Sequence, residues 1–202
     1  MVSHVETWRA ASLQTQPKNR PMSDDRFQNK YRIESARADW HDYDGGSYFI
    51  TICTKDREHY FGEIVDGEMV LSDIGKYAEE QFKNVSSHYP YAEIPLWTIM
   101  PNHLHAIVII DGNKTKYDRR VVEAWRAASL RDIANLQGWL SVVIGGLKSS
   151  ITRFANENTL DFSWQPRFHD HIIRDTSELN RVVTYIENNV ANWKDDEFYT
   201  PL

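Results

Sequence analysis

His103 and His105 stand two residues apart in a run of β-forming residues, so both imidazoles leave the same face of one sheet. Two imidazoles a few ångströms apart on a rigid strand suit a divalent cation. Two strand histidines with ordinary hydrogen bonds would give the same spacing. His169 and His171 form a second pair of this kind, and spacing alone does not rank the two. Farther on, Leu179, Val182, Val183, Ile186 and Val190 recur at helical spacing, which defines the buried stripe of an amphipathic helix. Tyr185 and Asn189 sit together on the flank of that stripe, one turn apart. A free phenol titrates near pH 10 and is a poor nucleophile at neutral pH, so it needs deprotonation and a polarised target. The plain alternative for Tyr185 is a packing residue.

The elements that must position these groups follow from period and punctuation. Residues 48–53 are β-branched and aromatic and follow the Gly45-Gly46 turn, as a buried strand would. Residues 62–71 read as a hairpin turning at Asp66-Gly67, which supplies the positive φ that a tight turn needs. Ser72 can cap a helix over 73–87, on which Ile74, Tyr77, Ala78, Phe82 and Val85 share a face. Pro90 and Pro95 punctuate its end. Strands follow over 96–100 and 104–110, with the His103 pair opening the second and Leu104 facing the opposite way. A basic, polar loop covers 111–135. Leu136, Leu140, Val143, Leu147, Ile151 and Phe154 mark a long helix, and residues 165–174 a further strand. Ser177 and Glu178 open a last helix reaching about residue 193. The order is the βαββαβ of a ferredoxin-like antiparallel α+β sheet, with an additional C-terminal helix. It divides the chain into an extension over 1–40, one domain over 41–193 with an inserted loop at 111–135, and an acidic tail over 194–202.

Composition bounds the function. The chain has 202 residues, 41% hydrophobic and 26% charged, enough for one domain with a sizeable core. No apolar run approaches the roughly 20 residues that cross a bilayer, so no membrane role is expected. Cys53 is the single cysteine, which leaves no internal disulfide or cysteine zinc cluster and fits the cytoplasm. A formal net charge of -6 counts against binding nucleic acid, because phosphate contacts draw their affinity from lysine and arginine. The charge is sorted, however. Basic residues outnumber acidic ones in the N-terminal arm and in the 111–135 loop, and acidic residues collect near the C-terminus at Asp195, Asp196 and Glu197. The same six residues, Trp-Arg-Ala-Ala-Ser-Leu, begin at Trp8 and again at Trp125. No solenoid period accompanies the two copies, which read as inserted sequence.

Five segments occur in order: YFITICTKDREHYFGE at 48–63, IMPNHLHA at 99–106, WQPRF at 164–168, HIIRD at 171–175 and YIENN at 185–189. Together they resemble the single-tyrosine HUH transposases, and specifically the REP-associated tyrosine transposases, over residues 40–193. The resemblance implies a ferredoxin-like domain acting on hairpin-forming single-stranded DNA from repetitive palindromic elements, with Mg²⁺ or Mn²⁺. By position it makes His103 and His105 the metal ligands, Asn189 the polar residue completing the site, and Tyr185 the nucleophile of a 5′-phosphotyrosine intermediate. It places His171 at the border of the site. It also implies a monomer or a homodimer, acting at the nucleoid in a bacterium. Trp164, Arg167 and Phe168 offer stacking and phosphate contacts, and Lys148 and Arg153 offer phosphate contacts from the preceding helix. Two departures are Val190, where the family often has proline, and the acidic net charge. The alternatives are a domesticated, non-catalytic DNA-hairpin-binding protein and, more remotely, a metal-dependent hydrolase using His169 and His171.

Overall fold

The computed structural model describes residues 45–115 and 138–201. The N-terminal extension, both copies of the duplicated segment and most of the basic loop lie outside the described residues. Alternation in β1 (Gly46–Cys53) sends Tyr48, Ile50 and Ile52 to one face and Phe49 and Thr51 to the other. β1 pairs antiparallel along its whole length with β5 (His103–Ile110), setting Thr51 opposite His105 and Cys53 opposite His103. β4 (Ala92–Ile99) flanks β5, and β6 (His169–Ile172) flanks β1, both antiparallel. The four strands form one sheet in the order β4-β5-β1-β6, so the fold is mixed α+β.

A separate hairpin joins β2 (Gly62–Val65) to β3 (Glu68–Leu71). Its turn is the expected Asp66-Gly67, with φ of 50° and 82°. Helix α1 (Asp73–Lys83) starts where the sequence places it, the Ser72 hydroxyl accepting the Gly75 N–H at 3.1 Å. It ends earlier than the apolar spacing predicts, because Asn84 leaves the helical region (φ -102°, ψ 10°) and a separate turn follows at Val85–His88. α1 packs against α2 (Gly138–Glu157), with the Tyr77 and Phe154 rings stacked at 4.1 Å and the Tyr77 hydroxyl 3.0 Å from Ser150.

Two strand boundaries differ from the sequence reading, each for a physical reason. β4 begins at Ala92 and runs through Pro95, which had been read as punctuation. Proline is tolerated there because β4 is an edge strand and its register shifts between Glu93 and Leu96. The expected strand over 165–174 shrinks to His169–Ile172, since Arg167 takes a left-handed φ of 69°. Trp164 keeps only an isolated bridge to Thr54.

Helix α3 (Thr176–Asn188) is capped by Asp175, whose carboxylate accepts the Glu178 N–H at 2.9 Å. The helix therefore opens ahead of Ser177 and stops at Asn189, short of residue 193. A 3₁₀ turn at Trp193–Asp195 then redirects the chain.

The sheet separates two cores. On one face Tyr48, Ile50, Ile52, Leu104, Ala106 and Val108 pack against α1 and α2. On the other, Ile107 and Ile173 meet Leu179, Val183 and Ile186 of α3. Burying each large apolar side chain contributes roughly 1.5–3 kcal/mol, so the larger core anchors the sheet while the smaller holds α3 across β5. The histidines point to the α3 face.

Candidate functional site

Period two in β5 places His103 and His105 side by side on the α3 face, their rings 4.5 Å apart and both buried. Leu104 points into the opposite core, as its spacing requires. The imidazoles are oriented by different neighbours. His103 Nδ1 donates to Asn102 Oδ1 at 2.8 Å. The amide orientation is fixed because Asn102 Nδ2 donates to the carbonyls of Phe198 (2.9 Å) and Arg57 (3.3 Å), which only the nitrogen can do. His103 therefore carries its proton on Nδ1 and turns the Nε2 lone pair inward, where that atom is buried with no hydrogen-bond partner. His105 Nδ1 lies 2.9 Å from the Thr51 hydroxyl, and its Nε2 lies 3.2 Å from the Tyr185 hydroxyl.

Helix α3 brings Tyr185 and Asn189 to the same point. The Tyr185 ring stands edge-on to Phe49 at 5.9 Å and to His105 at 5.1 Å. With 40% of its surface exposed, it can meet a large substrate. Asn189 is buried, and its Oδ1 has no hydrogen-bond partner. Its Nδ2 donates at 2.8 Å to Asp196 Oδ2, which also accepts the Tyr185 hydroxyl at 3.3 Å.

Asp196 is the residue the sequence reading missed. It lies among acidic neighbours without periodicity, in a segment taken for a solvated tail. Its position depends on the Trp193–Asp195 turn and on the Phe198 N–H, which donates to Asp196 Oδ1 at 2.7 Å. The ligand-type atoms of His103, His105 and Asp196 lie within 4.8 Å of one another. Asn102, also unassigned from sequence, ties this segment to the strand by donating to Thr200 Oγ1 at 3.1 Å as well. Phe198 lies against His103 at 4.6 Å, under the Arg57 guanidinium, also at 4.6 Å.

The rival pair is arranged otherwise. His171 Nε2 is paired with Glu178 Oε1 at 2.6 Å, and both His169 and His171 are exposed on β6. Among the described residues, no third ligand-type side chain gathers about them. They share the α3 face with the first pair, His169 lying opposite Thr51 in the register, so His171 does border the site.

The five residues offered as DNA contacts lie away from Tyr185, around Trp164 and the opposite core. Trp164 packs on Phe162 and Phe61, its Nε1 donating to the Lys148 carbonyl at 3.2 Å. Phe168 is partly buried against that core. Lys148 Nζ donates to the carbonyls of Gln165 (2.9 Å) and Arg167 (2.8 Å), pinning the loop into β6. Arg153 and Arg167 are exposed.

Burial holds both site imidazoles neutral. It pushes His103 well below the usual histidine range, helped by the neighbouring His105 and Arg57, and brings His105 down to about 4 against the pull of Asp196 and a bond to the Ile50 backbone. The unfolded chain protonates His105 near 6.5, so below that pH it binds more protons than the native state. Stability is thus full above pH 6.5 and falls as the pH drops toward 4, by roughly 3 kcal/mol for His105 alone. Urea midpoints measured in chelator should decline between pH 7 and 4.5, and His105→Gln should flatten that decline. An equally steep decline in the variant would remove His105 as its source.

The donor set fits a divalent cation. Two neutral imidazole nitrogens, a carboxylate and an amide oxygen converge, and His103 Nε2 and Asn189 Oδ1 are buried polar atoms left without partners. Among the described residues no helix is long and apolar enough to cross a membrane.

No family model matches the chain. An uncharacterized protein of Haemophilus influenzae is 35% identical over 156 residues, covering 76% of this chain and 85% of that protein. A second Haemophilus influenzae protein, named "Putative REP-associated tyrosine transposase", is 28% identical over 149 residues, covering 72% of this chain and 70% of its own length. A solved REP-associated tyrosine transposase bound to a REP hairpin overlays with a TM-score of 0.44 at 22% identity, over 85% of this chain and 74% of that one. By the extent of the first match and the name carried by the second, the chain belongs to the REP-associated tyrosine transposase family.

Proposed function

We propose that the protein is a transposase that binds hairpin-forming single-stranded DNA and cuts and rejoins it through Tyr185. The observation that carries this reading is the convergence of Tyr185, His105, Asn189 and His103 on Asp196, a carboxylate delivered from beyond α3. The related hairpin-binding protein named above supports the substrate class. We read the strand order β4-β5-β1-β6 as ferredoxin-like, with α3 as the added helix that carries the nucleophile.

His103, His105 and Asp196, completed by the Asn189 amide oxygen, would hold Mg²⁺ or Mn²⁺. The chemistry supplied at such a site is Lewis-acid polarisation of a non-bridging phosphate oxygen. This chain's own residues do the rest. Tyr185 is kept protonated at rest, because burial and the Asp196 carboxylate raise its pKa above the usual phenol value. Asp196 Oδ2 accepts the hydroxyl hydrogen bond and so stands ready to take the proton. As the tyrosine oxygen bonds to phosphorus, the bond from phosphorus to the 3′ oxygen breaks. That oxygen ends protonated as a 3′-OH, and the 5′-phosphate remains on Tyr185. Attack by another 3′-OH reverses the step and joins strands without an external energy source.

The test is covalent trapping. The protein, incubated with Mn²⁺ and a single-stranded hairpin oligonucleotide from beside its own gene, should form an adduct that denaturation does not dissolve. Hairpin binding with no adduct, indifferent to chelator, would instead indicate the non-catalytic binding protein.

A further inference from the structure

The outer surface of α3 carries a feature that the site above does not use. An open groove of about 850 Å³ begins at Tyr185 and Asp196 and runs back along the helix, lined by Asn180, Arg181, Thr184, Asn188 and Asn192. Asparagine and threonine are weak helix formers, favoured at caps and turns instead of helix interiors. Asn180, Arg181, Thr184 and Asn188 are all exposed, so core packing does not call for them. Local propensity is therefore set aside along one line of the helix, and that line leads to the residue assigned as nucleophile. Such departures from local rules are expected at functional surfaces.

Arg181 is the one cation among the lining residues, while Asp195 and Asp196 stand at the Tyr185 end. A groove with so little positive charge would hold a phosphate backbone poorly. Its amides, in contrast, each present a donor and an acceptor in one plane, the pattern that pairs with a base edge and with adenine N6 and N7 in particular. The Asn188 amide is partly oriented already, since its Nδ2 donates to the Thr184 carbonyl at 2.7 Å and leaves its oxygen and second N–H available. A chain with a formal net charge of -6 gains little affinity from counterion release, so direct recognition of bases has to supply more of it.

We propose that this groove is a base-reading subsite for the first nucleotides of the strand left attached to Tyr185, with Asn180 and Asn188 reading base edges and Arg181 contacting the backbone. The assignment rests on Tyr185 being the attachment point, because a strand joined there through its 5′-phosphate starts at the mouth of the groove.

The test uses the full chain carrying Tyr185→Phe, so that binding is measured without cleavage, and fluorescence anisotropy with labelled dA12 and dT12. The parent should prefer dA12. Adding Asn180→Ala and Asn188→Ala, which improve helix propensity and so preserve the fold, should weaken dA12 at least tenfold while leaving dT12 nearly unchanged. Arg181→Ala should weaken both alike. An unchanged ratio of dA12 to dT12 affinity in the double variant would overturn the assignment. The two readings can fail separately. A missing adduct with a collapsed base preference removes the catalytic reading and keeps the groove, whereas an adduct with an unchanged preference does the reverse.

Discussion

Tyr185→Phe is expected to abolish the covalent DNA adduct, lowering strand cleavage by at least about 1,000-fold, while the protein melts within a few degrees of the parent. The two halves of this expectation come from different atoms. The hydroxyl is the only part of Tyr185 that can bond to phosphorus, and no other side-chain hydroxyl lies within hydrogen-bonding distance of both His105 Nε2 and Asp196 Oδ2 among the described residues. The ring, by contrast, supports α3 through edge contacts with Phe49 and His105 that phenylalanine keeps. The lost hydrogen bond is partly exposed and long at 3.3 Å, so the stability change should stay within roughly 1 kcal/mol. Cleavage is read on a denaturing gel and stability by thermal melting on the same preparation. Undiminished adduct in this variant would end the assignment of Tyr185.

The second large effect is expected at His103. His103→Ala removes the buried Nε2 that lacks a protein partner, and should weaken Mn²⁺ binding by about 100-fold, the upper range for disturbing even the groups that orient a ligand. At a Mn²⁺ concentration about 100 times the parent's dissociation constant, the ion stabilises the parent by about 2.7 kcal/mol and the variant by only about 0.4 kcal/mol. The measurement is the difference in unfolding free energy with and without Mn²⁺. It separates metal binding from the direct cost of deleting a packed imidazole, which appears in both conditions. His171→Ala should keep the full increment, because His171 is exposed and paired with Glu178. If the increment survives His103→Ala and disappears with His171→Ala, the metal belongs to the other pair.

The parts of this site that the sequence makes legible are those set by one period within one element. Two residues along a strand share a face, and four along a helix share a turn, which is why His103 with His105, and Tyr185 with Asn189, could be paired before any fold was in view. Ser72 and Asp66-Gly67 were legible for a similar reason, since caps and tight turns are local chemistry. Asp196 was not, because its place depends on a turn beyond α3 and on bonds to Phe198 and Asn189 that no pattern in the chain announces. Asn102 escaped notice because its importance lies in partners at Phe198 and Thr200, roughly a hundred positions away. Pro95 misled for the opposite reason. Its local signal was strong, but an edge strand with a register shift absorbs it. Lys148 shows the limit of reading charge, since its ammonium serves two carbonyls of its own loop.

Trp193 gives this centre an optical consequence. Its indole is buried 6.0 Å from the His103 ring and 5.3 Å from Tyr199, at the turn that delivers Asp196. Trp97, Trp139 and Trp164 pack against the larger core on the far face of the sheet. A paramagnetic ion seated at His103 would therefore darken the emission of Trp193 far more than that of these three, while Mg²⁺ would leave all four bright. Intrinsic fluorescence then becomes a titration signal that needs no label, no DNA and no turnover, and that reports filling of the His103 centre directly.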